Sequence, residues 1–133
     1  MISAQRNKYL ETTIQTATPA QLLIMLYDGA IRNCRAGIEA LRSGRVGDAN
    51  THLIKAQDII SELVITLDRS APVSENLLKL YEYFGYLLVQ ANVKKSEVPA
   101  EEVLQYLIEL KETWIQAAKA SNATAANSGV QHA

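Results

Sequence analysis

Four segments of the chain repeat apolar residues at alternating spacings of three and four positions. That spacing places each set of residues along one face of an α-helix, and it is typical of helices that pack side by side. The clearest sets span residues 46–67 and 73–91, and looser ones span 23–41 and 103–117. Four such helices joined by short connections predict an all-α fold, an antiparallel four-helix bundle.

Three prolines, at positions 19, 72 and 99, lie where periodic segments begin. Proline is favoured in the first turn of a helix because the N–H that it lacks has no partner there. Thr18 is a candidate N-cap for a first helix that ends near Arg42, ahead of a turn containing two glycines. Further helices are expected over about 48–69, from 72 to between 92 and 96, and from 99 to about 117.

The two ends of the chain differ from the bundle in composition. Tyr9, Leu10 and Ile14 predict a short N-terminal helix or lid that docks on the rest. The last dozen residues are mostly Ala, Asn, Ser and Thr, which offer little to bury, so a disordered tail is expected there. The predicted organisation is a lid over residues 1–17, a four-helix bundle over 18–121 and a disordered tail over 122–133.

Length and charge exclude several classes of partner. A chain of 133 residues with a net charge of −1 fits one domain, and it lacks the basic character expected for nucleic-acid binding. The longest strongly apolar run, residues 22–27, is too short for stable membrane insertion. The N-terminus lacks a signal-peptide pattern, and Cys34 has no partner for a disulfide, so a cytoplasmic location is expected.

Few residues have the chemistry for catalysis or for cofactor binding. The only histidines are His52 and His132, so no metal site, cofactor or enzymatic activity is expected. One alternative remains, because residues 52–56 are similar to the His-x-x-Lys-Gly core of histidine phosphotransfer domains, which are also four-helix bundles. Ala56 stands where that family has glycine. In this alternative the imidazole of His52 would carry a phosphoryl group.

The apolar face that the periodic residues form on each helix is called its seam. A second apolar stripe remains after the four seams are assigned. One interpretation is a wider core, since globular bundles bury about three positions per heptad. Another is a groove for the amphipathic helix of a partner, and a third is the interface of a weak homodimer. The third helix, with tyrosines at 81, 83 and 86, is the best candidate for a groove floor. The residues assigned to the candidate groove are Ile54, Leu78, Tyr81, Leu88, Leu104 and Ile108.

Several separate segments, in order along the chain, resemble the flagellar export chaperone family FliS. The most recognisable is Leu-Leu-Ile-Met-Leu-Tyr-Asp-Gly-Ala-Ile at 22–31, preceded by Thr-Ala-Thr-Pro at 16–19. Lys-Ala-Gln-Asp-Ile-Ile at 55–60 follows, and Leu110 with Trp114 completes the order. The loop at 69–73 departs from the family pattern, which is glycine-rich and acidic there. The resemblance covers roughly residues 9–114.

The resemblance implies a four-helix export chaperone that binds the C-terminal segment of flagellin and prevents its premature polymerisation. It also implies delivery of flagellin to a gate component of the flagellar type III export apparatus, without catalysis. The segment before Thr18, including Tyr9 and Ile14, is expected to cover part of the hydrophobic surface when flagellin is absent. With Leu88 in the groove, an aspartate at that position is expected to abolish binding and leave the bundle folded.

Overall fold

A computed structural model describes the backbone of residues 17–131 and the side chains of residues 17–121. These residues form four helices and no strand: α1 Pro19–Arg42, α2 Val46–Thr66, α3 Ser74–Lys94 and α4 Glu97–Gln131. The all-α prediction is therefore confirmed. The predicted lid residues Tyr9, Leu10 and Ile14 lie outside the described residues.

The start of α1 is fixed by a capping box. The Thr18 hydroxyl accepts a hydrogen bond from the Gln21 backbone N–H at 3.1 Å, and the Gln21 side chain accepts one from the Thr18 N–H at 2.9 Å. Pro19 follows as the first helical residue, as predicted. Two donors that the first turn would leave unpaired are thus satisfied. The helix ends in a turn in which Gly44 has a φ of 71°, a left-handed conformation that glycine adopts without strain.

The other helix boundaries differ from the sequence predictions by a few residues. Helix α2 begins at Val46 rather than at Asp48, and α3 begins two residues after Pro72. Helix α4 begins two residues before Pro99, which still leaves the proline in the first turn. Several adjacent residues in a short turn can serve as the first residue of a helix. Sequence patterns therefore predict the presence of a helix better than its exact boundaries.

The ion pairs between α1 and α4 show that these two helices are antiparallel, because residues late in α1 contact residues early in α4. Near the end of α1, Arg42 forms ion pairs with Glu97 and Glu101 at the start of α4. Earlier in α1, Asp28 pairs with Lys111, farther along α4. Helix α1 packs on α2 and α4, and α3 packs on the same two helices.

The predicted seams meet in one core. Fully buried side chains come from all four helices, and the largest are Tyr27, Leu53, Leu63, Tyr81, Phe84, Leu88 and Leu107. Gly37 lets α1 approach α2 closely, because a Cβ atom at this position would lie 2.9 Å from the Leu53 side chain. Within the described residues no helix has the length and apolar character needed to cross a membrane.

The last helix extends beyond the end that the sequence predicts. Helix α4 continues to Gln131, whereas a disordered tail is expected from residue 122. Alanine is frequent in this segment and has the highest helix propensity. Extending an existing helix also avoids the cost of nucleation. Helix propensity and continuity with the preceding turns therefore account for helical backbone as far as Gln131.

Two of the mid-helix glycines, Gly37 and Gly85, are expected to respond oppositely to alanine. At Gly85 no atom lies within 4 Å of an added Cβ, so Gly85→Ala should raise the free energy of unfolding by about 0.5–1 kcal/mol through helix propensity. At Gly37 the buried Leu53 would have to move, which should cancel or reverse that gain. Urea denaturation followed by circular dichroism measures both, and equal gains at the two positions would contradict the close packing of α1 on α2.

Candidate partner-binding surfaces

Two residues assigned to the candidate groove lie in the core instead. Tyr81 and Leu88 are completely or almost completely buried and contribute to the central cluster. In this structure neither side chain lines the surface groove that the sequence had predicted, and an aspartate at Leu88 is now expected to unfold the bundle. Each follows a seam residue of α3 by one position, and the core of this bundle is wide enough to include both positions.

Tyr81 takes part in a polar contact inside the core. Its hydroxyl and that of Tyr27 on α1 lie 2.7 Å apart, so one donates a hydrogen bond to the other. Burial raises the pKa of both phenols above their usual value, and for Tyr27 the hydrogen bond with Tyr81 partly offsets that rise. The Trp114 indole N–H lies near the Tyr27 hydroxyl and is buried without a hydrogen-bond partner in the described part of the chain. The two tyrosines therefore link α1 to α3 through polar atoms as well as apolar ones.

The other predicted groove residues do not lie on one face. Ile54 is exposed on α2, one turn after Asn50, whose side chain accepts a hydrogen bond from Asn92 on α3. Leu78 is half-buried on α3. Leu104 and Ile108 are half-buried on α4 and pack against the core cluster. The structure therefore separates Ile54, near the border of α2 and α3, from Ile108, which lies beside α1.

The outer face of α3 carries four exposed large hydrophobic side chains on one helix. From Tyr83 to Val93 this helix has no charged residue, although one of its sides faces solvent. We define the α3 outer face by its exposed members Tyr83, Tyr86, Val89 and Val93. A helix that is apolar on all sides is normally buried, so this face is suited to contact with another protein surface.

A second candidate surface is an open cleft of about 1310 Å³ where the start of α1 meets the later part of α4. Its walls come from Leu23, Ile24 and Met25 on one side and from Trp114 and Ala118 on the other. The first described residue, Ala17, also lies on its rim. We call this the α1–α4 cleft. The segment that precedes Ala17 thus joins the bundle directly at an apolar opening.

A smaller hollow of about 920 Å³ lies farther along the same pair of helices and has a different character. Ile31, Ile108 and Ile115 form its floor, while Arg32, Arg35, Glu109 and Glu112 are among the charged residues around it. Charges of both signs surround a small apolar floor, so this hollow favours no single class of ligand. The ion pair between Lys111 and Asp28 bridges the two helices beside it.

His52 and Cys34, the two residues with the chemistry for catalysis, lie in surroundings that suit a structural role. His52 is half-buried, and its Nδ1 lies 3.2 Å from the Asn33 side-chain oxygen. Cys34 is fully buried, and burial raises the pKa of its thiol to about 12, which keeps the thiol protonated and unreactive. Among the described residues no group of three His, Cys, Asp or Glu side chains is arranged to hold a metal ion.

Comparison with known proteins places this bundle in a family. A family model described as flagellar protein FliS matches residues 1–121. The chain belongs to the FliS family. It is similar to the flagellar secretion chaperone FliS of Bacillus subtilis strain 168, with 37% identity over 109 residues and 82% of each chain covered. It is also similar to the protein of the same name from Salmonella typhimurium strain LT2, with 34% identity over 118 residues, covering 86% of this chain and 87% of the relative.

A more divergent FliS relative matches nearly the whole length. The flagellar secretion chaperone FliS of Vibrio cholerae is 27% identical over 132 residues, which covers 97% of each chain. The curated relatives of this FliS chain are thus named as chaperones and not as enzymes. The FliS resemblance that the sequence segments indicate is confirmed.

The candidate surfaces of this FliS chain include residues that the sequence assignment of the groove left out. Tyr106 on α4 lies beside Phe84, with ring centroids 5.6 Å apart, and it extends the apolar surface of α3 onto α4. Trp114 was assigned to a seam, yet it also lines the α1–α4 cleft. The uncharged run from Tyr83 to Val93 was the available signal for the α3 outer face. No comparable pattern in the sequence marks the cleft.

Two adjacent residues of α3 are expected to differ sharply in their response to aspartate. Leu88 is fully buried, so Leu88→Asp places an unpaired charge in the core and should abolish cooperative unfolding. Val89 is 42% exposed, and Val89→Asp should lower the free energy of unfolding by only about 1 kcal/mol. Thermal unfolding followed by circular dichroism compares them. A folded Leu88→Asp variant would place Leu88 on the surface after all.

Proposed function

We propose that this FliS protein is an export chaperone that binds the C-terminal segment of flagellin, prevents its premature polymerisation and aids its delivery to the flagellar type III export apparatus. The observation that carries the proposal is the α3 outer face, an uncharged surface on a helix whose opposite side is already in the core. The names of the curated relatives supply the class of activity.

The chemistry of the α3 outer face suits a client that must be held reversibly. Tyrosine rings provide a large contact area, and their hydroxyl groups tolerate water when the surface is empty. Valine side chains complete the face without adding charge. The client segment of flagellin is unfolded in the monomer but able to assemble. Its amphipathic stretches would self-associate if no partner covered them. Ordering such a segment costs conformational entropy, so a wide apolar contact is needed to offset that cost.

The α1–α4 cleft is proposed as a second contact whose access is regulated by the N-terminal segment. Residues Tyr9, Leu10 and Ile14 supply apolar side chains, and the chain enters the bundle at Ala17 on the cleft rim. Because the N-terminal segment is tethered beside the α1–α4 cleft, its effective concentration there is high, which favours its binding in the cleft. In this proposal the segment covers the cleft until a client displaces it.

The alternative function, phosphotransfer by His52, has less support than the chaperone. A phosphate-accepting imidazole needs access to the active site of a partner, whereas His52 is half-buried and contacts Asn33 of α1. The family comparison also accounts for the lysine at position 55 without phosphotransfer. Incubation with a phosphorylated receiver domain tests the alternative, and acid-labile phosphate on His52 would revive it.

The α3 outer face predicts a selective effect of substitution on client binding. Val93 on α3 and Ile65 on α2 are both β-branched and both 73% exposed, which makes them a matched pair. Calorimetric titration with a peptide covering the C-terminal segment of the host flagellin should give one-to-one binding to the wild type. Val93→Asp should weaken that binding at least tenfold, because an aspartate must be desolvated against an apolar partner.

The matched variant in this experiment is Ile65→Asp, which should change the dissociation constant by less than twofold. Circular dichroism establishes that both variants stay folded, as their exposure predicts. If the two substitutions weaken binding equally, the loss comes from the added charge and not from the α3 outer face. If Val93→Asp binds with full affinity, the client does not contact the α3 outer face.

Competition by the N-terminal segment predicts that weakening it strengthens client binding. Replacing Tyr9, Leu10 and Ile14 together by serine should raise the affinity for the flagellin peptide by roughly three- to tenfold, since the binding-competent fraction then approaches one. Trp114, the only tryptophan, lines the cleft, and its fluorescence should report the uncovering. Serine at Thr12, Thr13 and Gln15 is the control. Weaker binding by the apolar triple variant would instead make these residues part of the client site.

A further inference from the structure

Three of the six tyrosines of the chain lie close together at the border of α3 and α4. Tyr83 and Tyr86 are one turn apart on α3, and Tyr106 faces them from α4, packed beside Phe84. All three are substantially exposed, by 41%, 59% and 38% respectively. We call them, with Glu102, the tyrosine–glutamate cluster. It forms the α4-facing edge of the α3 outer face.

The carboxylate of Glu102 is held within the cluster by a tyrosine. The Tyr83 hydroxyl donates a hydrogen bond of 2.5 Å to Glu102 Oε2. This bond raises the pKa of the Tyr83 phenol, and the charge of the Glu102 carboxylate adds to the rise. The tyrosines are neutral at physiological pH, so Glu102 alone makes the electrostatic environment of the cluster negative, and that environment disfavours a second negative charge.

No basic side chain of the described residues neutralises Glu102. The ion pairs in that part of the chain involve Glu97, Glu101, Asp48 and Asp28 instead. Lys79, one turn before Tyr83, is the nearest basic residue along α3, and it makes no ion pair with Glu102 within 4 Å. Glu109, two turns farther along α4, adds to the negative potential. The cluster thus combines uncompensated negative charge with exposed aromatic rings.

Aromatic faces and a carboxylate attract the same kind of group. The face of a tyrosine ring carries negative electrostatic potential and binds cations within about 6 Å of its centre. A carboxylate favours the same cations, and it does so most strongly for the planar guanidinium of arginine, which can stack on a ring and donate hydrogen bonds at once. An anionic ligand would be repelled, and a purely apolar ligand would leave Glu102 desolvated and unpaired.

We propose that the tyrosine–glutamate cluster is a subsite for a cationic side chain, preferentially arginine, carried by the helical segment that covers the α3 outer face. The inference rests on the proposed function for the identity of that segment as a flagellin client. The apolar face then supplies most of the contact area. The cluster fixes the register of the bound helix, because only one placement brings its arginine over Glu102.

The subsite is tested by removing the charge of Glu102 without changing its shape. In Glu102→Gln the amide oxygen still accepts the Tyr83 hydrogen bond, so the cluster keeps its geometry. Glu112→Gln is the matched control, because Glu112 is also exposed on α4 but lies at the hollow beside α1. At low salt, Glu102→Gln should weaken binding of the flagellin peptide by five- to tenfold, and Glu112→Gln by less than twofold.

A modified peptide separates the specific contact from general electrostatics. Replacing the arginines of the flagellin peptide by citrulline keeps their shape and removes their charge. Wild-type protein should bind the citrulline peptide more weakly, and Glu102→Gln should then cause no further loss. An unchanged affinity in Glu102→Gln, or an equal loss with both peptides, would overturn the subsite and leave the chaperone proposal intact.

A designed probe distinguishes failure of the subsite from failure of the proposed function. Two amphipathic helical peptides of one sequence, with arginine or citrulline at the border of the apolar face, are titrated while tyrosine ring resonances are followed by NMR. If the flagellin peptide does not bind the wild type, the proposed function fails. The subsite still stands if the arginine peptide binds wild type and is weakened by Glu102→Gln. Absence of binding by the arginine peptide as well would overturn both.

Discussion

Burial of the inner side of α3 is the interaction on which the rest of this structure depends. Its inner side contributes Leu77, Phe84, Leu88 and Ala91 to the core cluster, and that burial holds it against α2 and α4. Burying apolar side chains on this scale is the main favourable term in folding. Because the inner side alone anchors α3, the outer side is free to remain apolar without a structural role. The candidate client surface follows from that division.

Polar contacts define the arrangement that hydrophobic burial stabilises. The hydroxyl pair of Tyr27 and Tyr81 joins α1 to α3 across the core, which apolar side chains of similar size would not do with the same geometric precision. On the outside, Arg42 links the end of α1 to the start of α4. Exposed ion pairs of this type contribute little stability, so the apolar contacts between α1 and α4 rather than these pairs hold the two helices together.

The two candidate surfaces suit different parts of a reversible binding cycle. The α3 outer face is exposed among the described residues, and it offers apolar area beside the Glu102 carboxylate. The α1–α4 cleft lies beside the entry point of the N-terminal segment, so its access can be regulated by the chain itself. In the function proposed above, a client that covers both surfaces gains affinity from the first and displaces the segment from the second. Binding and uncovering are then coupled by competition rather than by a change in the bundle.

The sequence by itself determined the number of helices, the seam residues and the family, because apolar periodicity and the segment at 22–31 are local patterns along the chain. It also indicated α3 as a candidate binding helix through its tyrosines at 81, 83 and 86. Only the tertiary structure decided that Tyr81 and Leu88 are core while Val89 and Val93 are surface, because the width of the buried stripe depends on how closely neighbouring helices pack. Likewise, Tyr83 meets Glu102 only after α3 and α4 dock, and no local pattern encodes that contact.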